Sequence, residues 1–261
     1  MYNYDINQAY RSYGFQIIKM GFHRRKRSKL SKPRLQHTHR QINLKPSTSQ
    51  VGGYVITPAD LNTLKGQRYL NDTVIAAAIH RLSIMYTPNK IHTDPYICPQ
   101  LIKHGKTKFL KSKAGRKFVE SIHSATLSLF PINHRAHWAL LVLNREKKTL
   151  ELLDSFTRVG LREFHGLRLL RDVIMLEIPD LLQPSTPTPQ QTDTSSCGLY
   201  VISFAEAIIR QSSILPLEDP QGFRSQLEKV LRVPTTVVAN GITRDNIQIT
   251  LTKTVLNQTL H

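Results

Sequence analysis

The chain has 261 residues, 40% of them hydrophobic, which suits one domain with extensions or two small domains. Its formal net charge of +18 favours contact with polyanions such as nucleic acid, acidic proteins or anionic membranes. Two cysteines cannot build a disulfide framework, so a reducing, intracellular compartment is expected. No run of 18 apolar residues occurs and no apolar segment follows the first basic residues, so neither a transmembrane segment nor a cleavable secretory signal is predicted.

Residues 1–50 are polar, basic and unpatterned, which predicts a disordered extension. They hold eleven Lys and Arg residues against one acid. The cluster at residues 23–34 resembles a nuclear localisation signal, although a solvated tail or salt-dependent phosphate binding fits it as well. It lacks interleaved aromatic side chains, so we do not expect sequence-specific base recognition.

The predicted folded domain spans residues 51–231. Its first elements are a short strand at 54–56 and a short helix after Thr57-Pro58, a cap followed by proline at the first helical position. Asn71 suits the cap of a second helix at 72–86. Residues 87–117 are predicted to be a basic loop. Within it, the seven Lys and Arg residues of 103–117 form a second candidate contact for nucleic acid or an acidic protein.

Two apolar segments at 137–143 and 149–154 predict a β-hairpin. A helix near 160–171, a strand near 173–178 and a polar loop at 183–196 follow. From Cys197 the chain is apolar almost all round, which predicts a buried helix, and an amphipathic helix at about 220–231 ends the domain. Residues 232–261 are predicted to be either edge strands or a disordered extension.

Four residues suggest nucleophilic chemistry: His137, Asp154, Gln191 and Cys197. A thiolate at a helix start is stabilised by the helix dipole, and a histidine within reach takes the thiol proton. A carboxylate behind the histidine fixes its tautomer, and a side-chain amide donates to a developing oxyanion. The hairpin would bring His137 beside Asp154, and Gly198 would let substrate backbone approach the thiol. Singly, each residue fits an ordinary structural role better; only the joint pattern is specific.

The chain resembles the Ulp-type, SUMO-specific (sentrin-specific) cysteine proteases, a papain-like group with the order His, Asp, Gln, Cys. The resemblance covers about residues 51–231. The matching blocks are Asp60–Leu64, Tyr69–Ile75, Leu129–Asn133, His137–Leu140, Leu153–Ser155 and Gln191–Val201.

The resemblance implies an α+β papain-like fold of the Ulp/adenain type, with a central mixed sheet flanked by helices and no metal or organic cofactor. It implies a protease that cuts peptide or isopeptide bonds after the Gly-Gly tail of SUMO, ubiquitin or a related modifier, with the modifier and its conjugates as partners. The implied site roles are Cys197 as nucleophile, His137 as base, Asp154 as orienting acid, Gln191 as oxyanion donor, Tyr69 and Trp138 as a tunnel over the Gly-Gly tail, and Asp72 as a contact to a basic residue of the modifier.

The chain departs from the family pattern at two positions. The family usually has Trp where Tyr69 stands and Asp where Ser196 precedes the cysteine. Neither position belongs to the triad, but both leave the identity of the modifier open.

Three other functions fit the same residues. One is a deubiquitinase-type enzyme of the same clan, such as an effector delivered into a host cell or a viral or transposon protease. Another is an acetyltransferase on the same triad, which would need an acetyl-CoA site that no sequence feature demands. The last is a non-catalytic basic nucleic-acid-binding protein on a protease fold, against which the intact set of four residues argues.

Overall fold

The computed structural model describes residues 49–51, 53–86, 91–157 and 164–233. The basic cluster at 23–34 and the C-terminal extension from residue 234 onward lie outside the described residues. The described elements are, in chain order, β1 Ser49–Val51, β2 Tyr54–Ile56, α1 Pro58–Asn62, α2 Asp72–Tyr86, β3 Ile91–Thr93, α3 Ile97–His104, α4 Lys106–Lys111, α5 Lys113–Ser124, β4 Leu127–His134, β5 His137–Asn144, β6 Thr149–Leu153, α6 His165–Glu177, α7 Cys197–Arg210 and α8 Pro220–Arg232.

The N-terminal part of the domain begins with a two-stranded antiparallel sheet of β1 and β2, in which Ser49 lies opposite Ile56. Strand β1 corrects the predicted boundary, because residues 49 and 50 were expected in the disordered extension. Helix α1 begins as predicted: Thr57 and Asp60 form a capping box in which each side chain accepts the backbone N–H of the other residue.

Helix α2 matches its predicted bounds. The Asn71 Oδ1 accepts the N–H of Val74 (3.0 Å), and the Asn71 amide donates to the Asp60 carboxylate (2.7 Å). The residue that caps α2 therefore also ties it to α1.

The prediction of a loop over 87–117 is wrong for the described residues from 91 onward. This stretch forms β3, α3, α4 and much of α5. Apolar side chains at helical spacing are buried in it, as with Ile97 and Leu101 of α3. Pro99 lies in the first turn of α3, where proline is tolerated, and Gly105 adopts a positive φ of 69° between α3 and α4. The many lysines of the stretch lie on the exposed faces of these helices, and their number led to the prediction of a polar loop.

The central sheet has the strand order β3-β4-β5-β6, with β3 parallel to β4 and the other pairs antiparallel. The predicted hairpin of β5 and β6 is confirmed. Residues 127–134 add a strand, β4, that joins β5 through a two-residue turn at Arg135 and Ala136. Both turn residues have positive φ (50° and 60°), the geometry that lets neighbouring strands reverse tightly.

The C-terminal half of the domain is helical. Cys197 begins α7 and α8 covers 220–232, as predicted, but the predicted strand near 173–178 is wrong. Val173 and Ile174 belong to α6, where they share a buried face with Leu167 and Leu170. Their short apolar run resembles a strand, and only the spacing to the preceding leucines indicates a helix.

Two hydrophobic cores lie on opposite faces of the central sheet. One contains side chains of β5 together with α2, α7 and α8. The other contains the alternate side chains of β4 and β5 together with α3, α4, α5 and α6. A mixed sheet between helical layers is the predicted α+β papain-like arrangement. None of the helices in the described ranges is long and apolar enough to cross a membrane.

Candidate active site

Cys197 is the first residue of α7 and is 1% exposed. The helix is apolar on nearly all sides because it packs between α2, α8 and β5. Gly198 has a packing role that the sequence did not suggest. A Cβ at Gly198 would lie 3.0 Å from the Leu70 Cβ and 3.2 Å from the Ile75 Cδ1, so the missing side chain allows close packing. The approach of substrate backbone at Gly198 stays a prediction.

His137 and Asp154 meet at the outer ends of β5 and β6, as the hairpin predicted. The Nε2 of His137 lies 2.6 Å from the Asp154 Oδ1. The same carboxylate oxygen accepts the Phe156 N–H (2.9 Å), and the Thr188 hydroxyl and Gln190 amide donate to the Asp154 carbonyl. The aspartate is therefore fixed by both its side chain and its backbone.

The Cys197 side chain lies near enough to the His137 ring to act on its pKa. Because Nε2 faces the carboxylate, Nδ1 is the nitrogen left for the thiol. Burial alone would lower the pKa of His137, but the hydrogen bonds and charges of Asp154 and Cys197 outweigh it and raise the pKa to about 9. The imidazole is thus protonated at neutral pH, a state that stabilises a neighbouring thiolate.

Gln191 is buried in the loop ahead of α7. Its N–H donates to the Ser155 carbonyl (2.9 Å), and its Oε1 accepts the Ser155 hydroxyl (2.8 Å). Its amide nitrogen donates to the Asp193 carbonyl (2.7 Å). Ser155 follows Asp154 directly, so one short segment orients both the histidine partner and the glutamine amide.

Three of the predicted substrate-binding residues lie in, or contact, the segment that leads into α2. Trp138 is 6% exposed, and its indole N–H donates to the Leu70 carbonyl (3.0 Å). Tyr69, the neighbour of Leu70, is 50% exposed. Asp72 begins α2 and interacts with the Tyr96 side chain. Trp138 thus anchors the segment that presents Tyr69, and the tunnel over a Gly-Gly tail stays a prediction.

Asp193 organises the residues before the nucleophile, a role that the sequence did not suggest. Its Oδ1 accepts the N–H groups of Ser195 (2.7 Å) and Ser196 (2.8 Å), and its Oδ2 accepts the Ser196 hydroxyl (2.6 Å). Burial alone would raise the pKa of Asp193, but these hydrogen bonds and the Arg224 charge lower it. A carboxylate therefore still lies beside position 196, where the family usually has Asp.

Arg224 is a second residue that sequence reasoning missed. It is 2% exposed on α8 and donates to the Thr63 and Ser195 carbonyls, 3.1 Å each. A single arginine in an amphipathic helix gives no sequence signal of such a position, because its partners lie 161 and 29 residues away in the chain.

Cys98, the other cysteine, lies in a different environment. Burial, and then the Asp94 charge, raise the pKa of its thiol to about 12, which makes it unreactive at neutral pH. In the part of the chain that the structure describes, no group of three or more His, Cys, Asp or Glu residues could hold a metal ion.

Comparison with known proteins adds the family. Residues 68–230 match the Ulp1 protease family, C-terminal catalytic domain. Sentrin-specific protease 2 of Mus musculus is 27% identical over 173 residues, which covers 61% of this chain and 29% of that protein. Ubiquitin-like-specific protease 1 of Saccharomyces cerevisiae is 28% identical over 155 residues, which covers 56% of this chain and 24% of that protein. The chain thus spans less than a third of these relatives.

Solved structures show the same fold. The C-terminal Ulp1 protease domain in complex with Smt3, the yeast ortholog of SUMO, has a TM-score of 0.59 at 22% identity and covers 72% of this chain and 89% of that chain. The SUMO protease Ulp1 with its catalytic cysteine oxidized to a sulfinic acid has a TM-score of 0.57 at 22% identity and covers 71% of this chain and 86% of that chain. On the match over 163 of its 261 residues, the chain belongs to the Ulp1 protease family.

Proposed function

We propose that this chain is a cysteine protease that hydrolyses the peptide or isopeptide bond after the C-terminal Gly-Gly of SUMO or a closely related modifier. The observation that carries the proposal is the His137–Asp154 pair, 2.6 Å apart, with Cys197 on the other side of the ring at the start of a buried helix. The similar proteins named above are sentrin- or SUMO-directed, which favours SUMO over ubiquitin as the modifier.

The three residues of the triad have different roles in the reaction. The Cys197 thiolate attacks the carbonyl carbon of the terminal glycine, and the electron pair of the C=O bond moves to oxygen. The C=O bond then re-forms as the C–N bond breaks, the His137 imidazolium donates its proton to the leaving amine, and a thioester is left on Cys197. Neutral His137 next takes a proton from water, whose oxygen attacks the thioester carbon; the C–S bond breaks, which releases the carboxylic acid end of the modifier and restores the Cys197 thiolate beside the imidazolium. Asp154 holds the ring and stabilises its charged form.

Gln191, Tyr69 and Trp138 bind the substrate and its intermediates and transfer no proton. The Gln191 amide, held by Ser155, donates to the oxyanion of the tetrahedral intermediates. Tyr69 and Trp138 enclose the Gly-Gly tail, where any Cβ would meet a ring face, and Asp72 pairs with a basic residue of the modifier. The two further contacts predicted from charge, nuclear targeting through residues 23–34 and polyanion binding through 103–117, remain proposals that no comparison supports.

The test is cleavage of two linear fusions, one with SUMO and one with ubiquitin ahead of the same reporter. We expect the parent chain to cut the SUMO fusion directly after Gly-Gly, as read by the intact mass of both products. Cys197→Ala should abolish cleavage, and Cys98→Ala, the matched substitution at the other buried cysteine, should not.

Cleavage of the ubiquitin fusion alone would replace SUMO by ubiquitin in the proposal. Acetylation of either protein from added acetyl-CoA, without cleavage, would favour the acetyltransferase. A parent chain that modifies neither fusion and binds only nucleic acid would overturn the proposed enzyme.

A further inference from the structure

A fully buried guanidinium lies between α8 and the loop that precedes the nucleophile. The Arg224 Nη2 donates to the Ser195 carbonyl, two residues before Cys197, and Nη1 donates to the Thr63 carbonyl at the end of α1. The planar fork of arginine allows one side chain to hold two carbonyls from distant segments. The loop and the segment that leads to Tyr69 are thus tied to one point on α8.

The side chain of Asp193, the first residue of this loop, holds the residues that follow it. That carboxylate takes the N–H groups of Ser195 and Ser196 and the Ser196 hydroxyl, whereas Arg224 takes the remaining Ser195 carbonyl. Backbone N–H groups of the loop donate to the Asp193 carboxylate, and a backbone carbonyl of the loop accepts from the Arg224 guanidinium. These bonds favour one backbone conformation directly ahead of Cys197.

Arg224 interacts electrostatically with two residues of this region, Asp193 and Cys197. Burial lowers the pKa of Arg224, and the nearby Asp193 and Cys197 act in the opposite direction. A buried guanidinium is costly unless an anion faces it, and the Asp193 carboxylate is such an anion. His137 at the start of β5 also faces the thiol. Two basic side chains, one from α8 and one from β5, therefore lie near Cys197.

We propose that Arg224 is a positioning residue for the nucleophile, which fixes the loop 193–196 through the Ser195 carbonyl and adds a positive charge near the Cys197 thiolate. The inference rests on the proposed function only in taking Cys197 as the nucleophile. Arg224 does not touch the reacting atoms and acts through the loop and through its field.

Arg81 of α2 offers a matched control. It is 3% exposed and donates to the backbone carbonyls of Val230 and Val233, at the far end of α8 from Arg224. Arg81→Met and Arg224→Met therefore each remove a buried guanidinium that bridges two carbonyls. Only Arg224→Met removes a guanidinium that contacts the loop ahead of Cys197.

The experiment compares the parent chain, Arg224→Met and Arg81→Met, all as full chains. The rate of Cys197 alkylation is measured at pH 7 with anionic iodoacetate and neutral iodoacetamide, and the alkylated peptide is identified by mass spectrometry. We expect Arg224→Met to lower the iodoacetate-to-iodoacetamide rate ratio several-fold, because a cation near the thiolate is lost. On a cleavable modifier fusion, kcat should fall about 100-fold with KM little changed, since the loop is misplaced.

Arg81→Met should lower the thermal midpoint without changing the alkylation ratio or kcat. If Arg224→Met does not fold, Arg224→Lys takes its place, because lysine keeps the charge but not the planar guanidinium. We expect Arg224→Lys to keep the iodoacetate-to-iodoacetamide rate ratio of the parent chain and to have a lower kcat. An unchanged ratio together with an unchanged kcat in a folded Arg224 variant would overturn the proposal, as would the same losses in Arg81→Met. Because alkylation needs no modifier, a chain that alkylates normally but cleaves nothing refutes the proposed function and leaves the role of Arg224 testable.

Discussion

At the scale of single residues, the charge of His137 depends on its two neighbours. Asp154 and Cys197 raise its pKa to about 9, above the ordinary value of 6.5. A histidine whose pKa is raised on folding stabilises the fold fully below 6.5, and this contribution is lost as the pH rises through about 9. In the proposed mechanism, the same proton goes to the leaving amine.

The pH dependence of activity follows from that proton. We expect kcat/KM of the parent chain to fall on an alkaline limb near pH 9, where His137 becomes neutral. Asp154→Asn should move this limb to lower pH, because the carboxylate charge and its hydrogen bond raise the pKa of His137. A limb that stays in place in Asp154→Asn would show that another group titrates there.

The contact of His137 with Asp154 could be predicted from the sequence, because pairing of two strands turns a chain spacing into proximity. His137 begins one strand of the hairpin and Asp154 follows the other, so only local structure is needed to bring them together. The supporting residues could not be predicted in this way. Arg224 meets Ser195 and Thr63 only after α8 has packed against the domain, and one sequence contains no signal of that packing.

At the scale of elements, the segment between α2 and β4 shows why composition misled the prediction. Its lysines suggested a loop, but the side chains that decide the fold are the few buried apolar ones on α3, α4 and α5. Helices of this kind derive their stability from packing rather than from intrinsic propensity, which a composition count cannot detect.

Strand β3 belongs to the same segment and contains a half-buried histidine. The His92 ring lies edge-on to Phe118 (6.1 Å between centroids) and Phe130 (5.8 Å), and its Nε2 is buried without a hydrogen-bond partner. Burial, and then the Lys117 charge, lower the pKa of His92 to about 4. A pKa lowered on folding gives stability that is present above 6.5 and is lost as the pH falls through about 4.

His92 is therefore expected to contribute to acid destabilisation. His92→Phe replaces the ring by one that cannot be protonated, so its thermal midpoint should fall less than that of the parent between pH 6.5 and 4. At pH 8, both forms carry no charge at this position, and any difference in midpoint reports packing alone. Parallel pH profiles of the two midpoints would contradict this role of His92.

At the scale of the whole molecule, basic residues are denser ahead of the described fold than along it. The described elements run from Ser49 to Arg232 and form the protease fold, whereas eleven of the 36 Lys and Arg residues lie in the first fifty positions. A fold of this kind could be predicted once six sequence blocks occurred in the order typical of the family. The partner of the basic extension could not, because charge indicates a class of ligand and not its identity.

The proposed role of Cys197 is measured most directly with SUMO that has an electrophile in place of its C-terminal carboxylate. The parent chain, Cys197→Ala and His137→Ala are incubated with this probe, and the modified peptide is identified by mass spectrometry. We expect one adduct, on Cys197, that is lost in Cys197→Ala and formed much more slowly in His137→Ala. An adduct on Cys98, or no adduct from a parent chain whose Cys197 still reacts with iodoacetamide, would refute Cys197 as the nucleophile of a SUMO-directed protease.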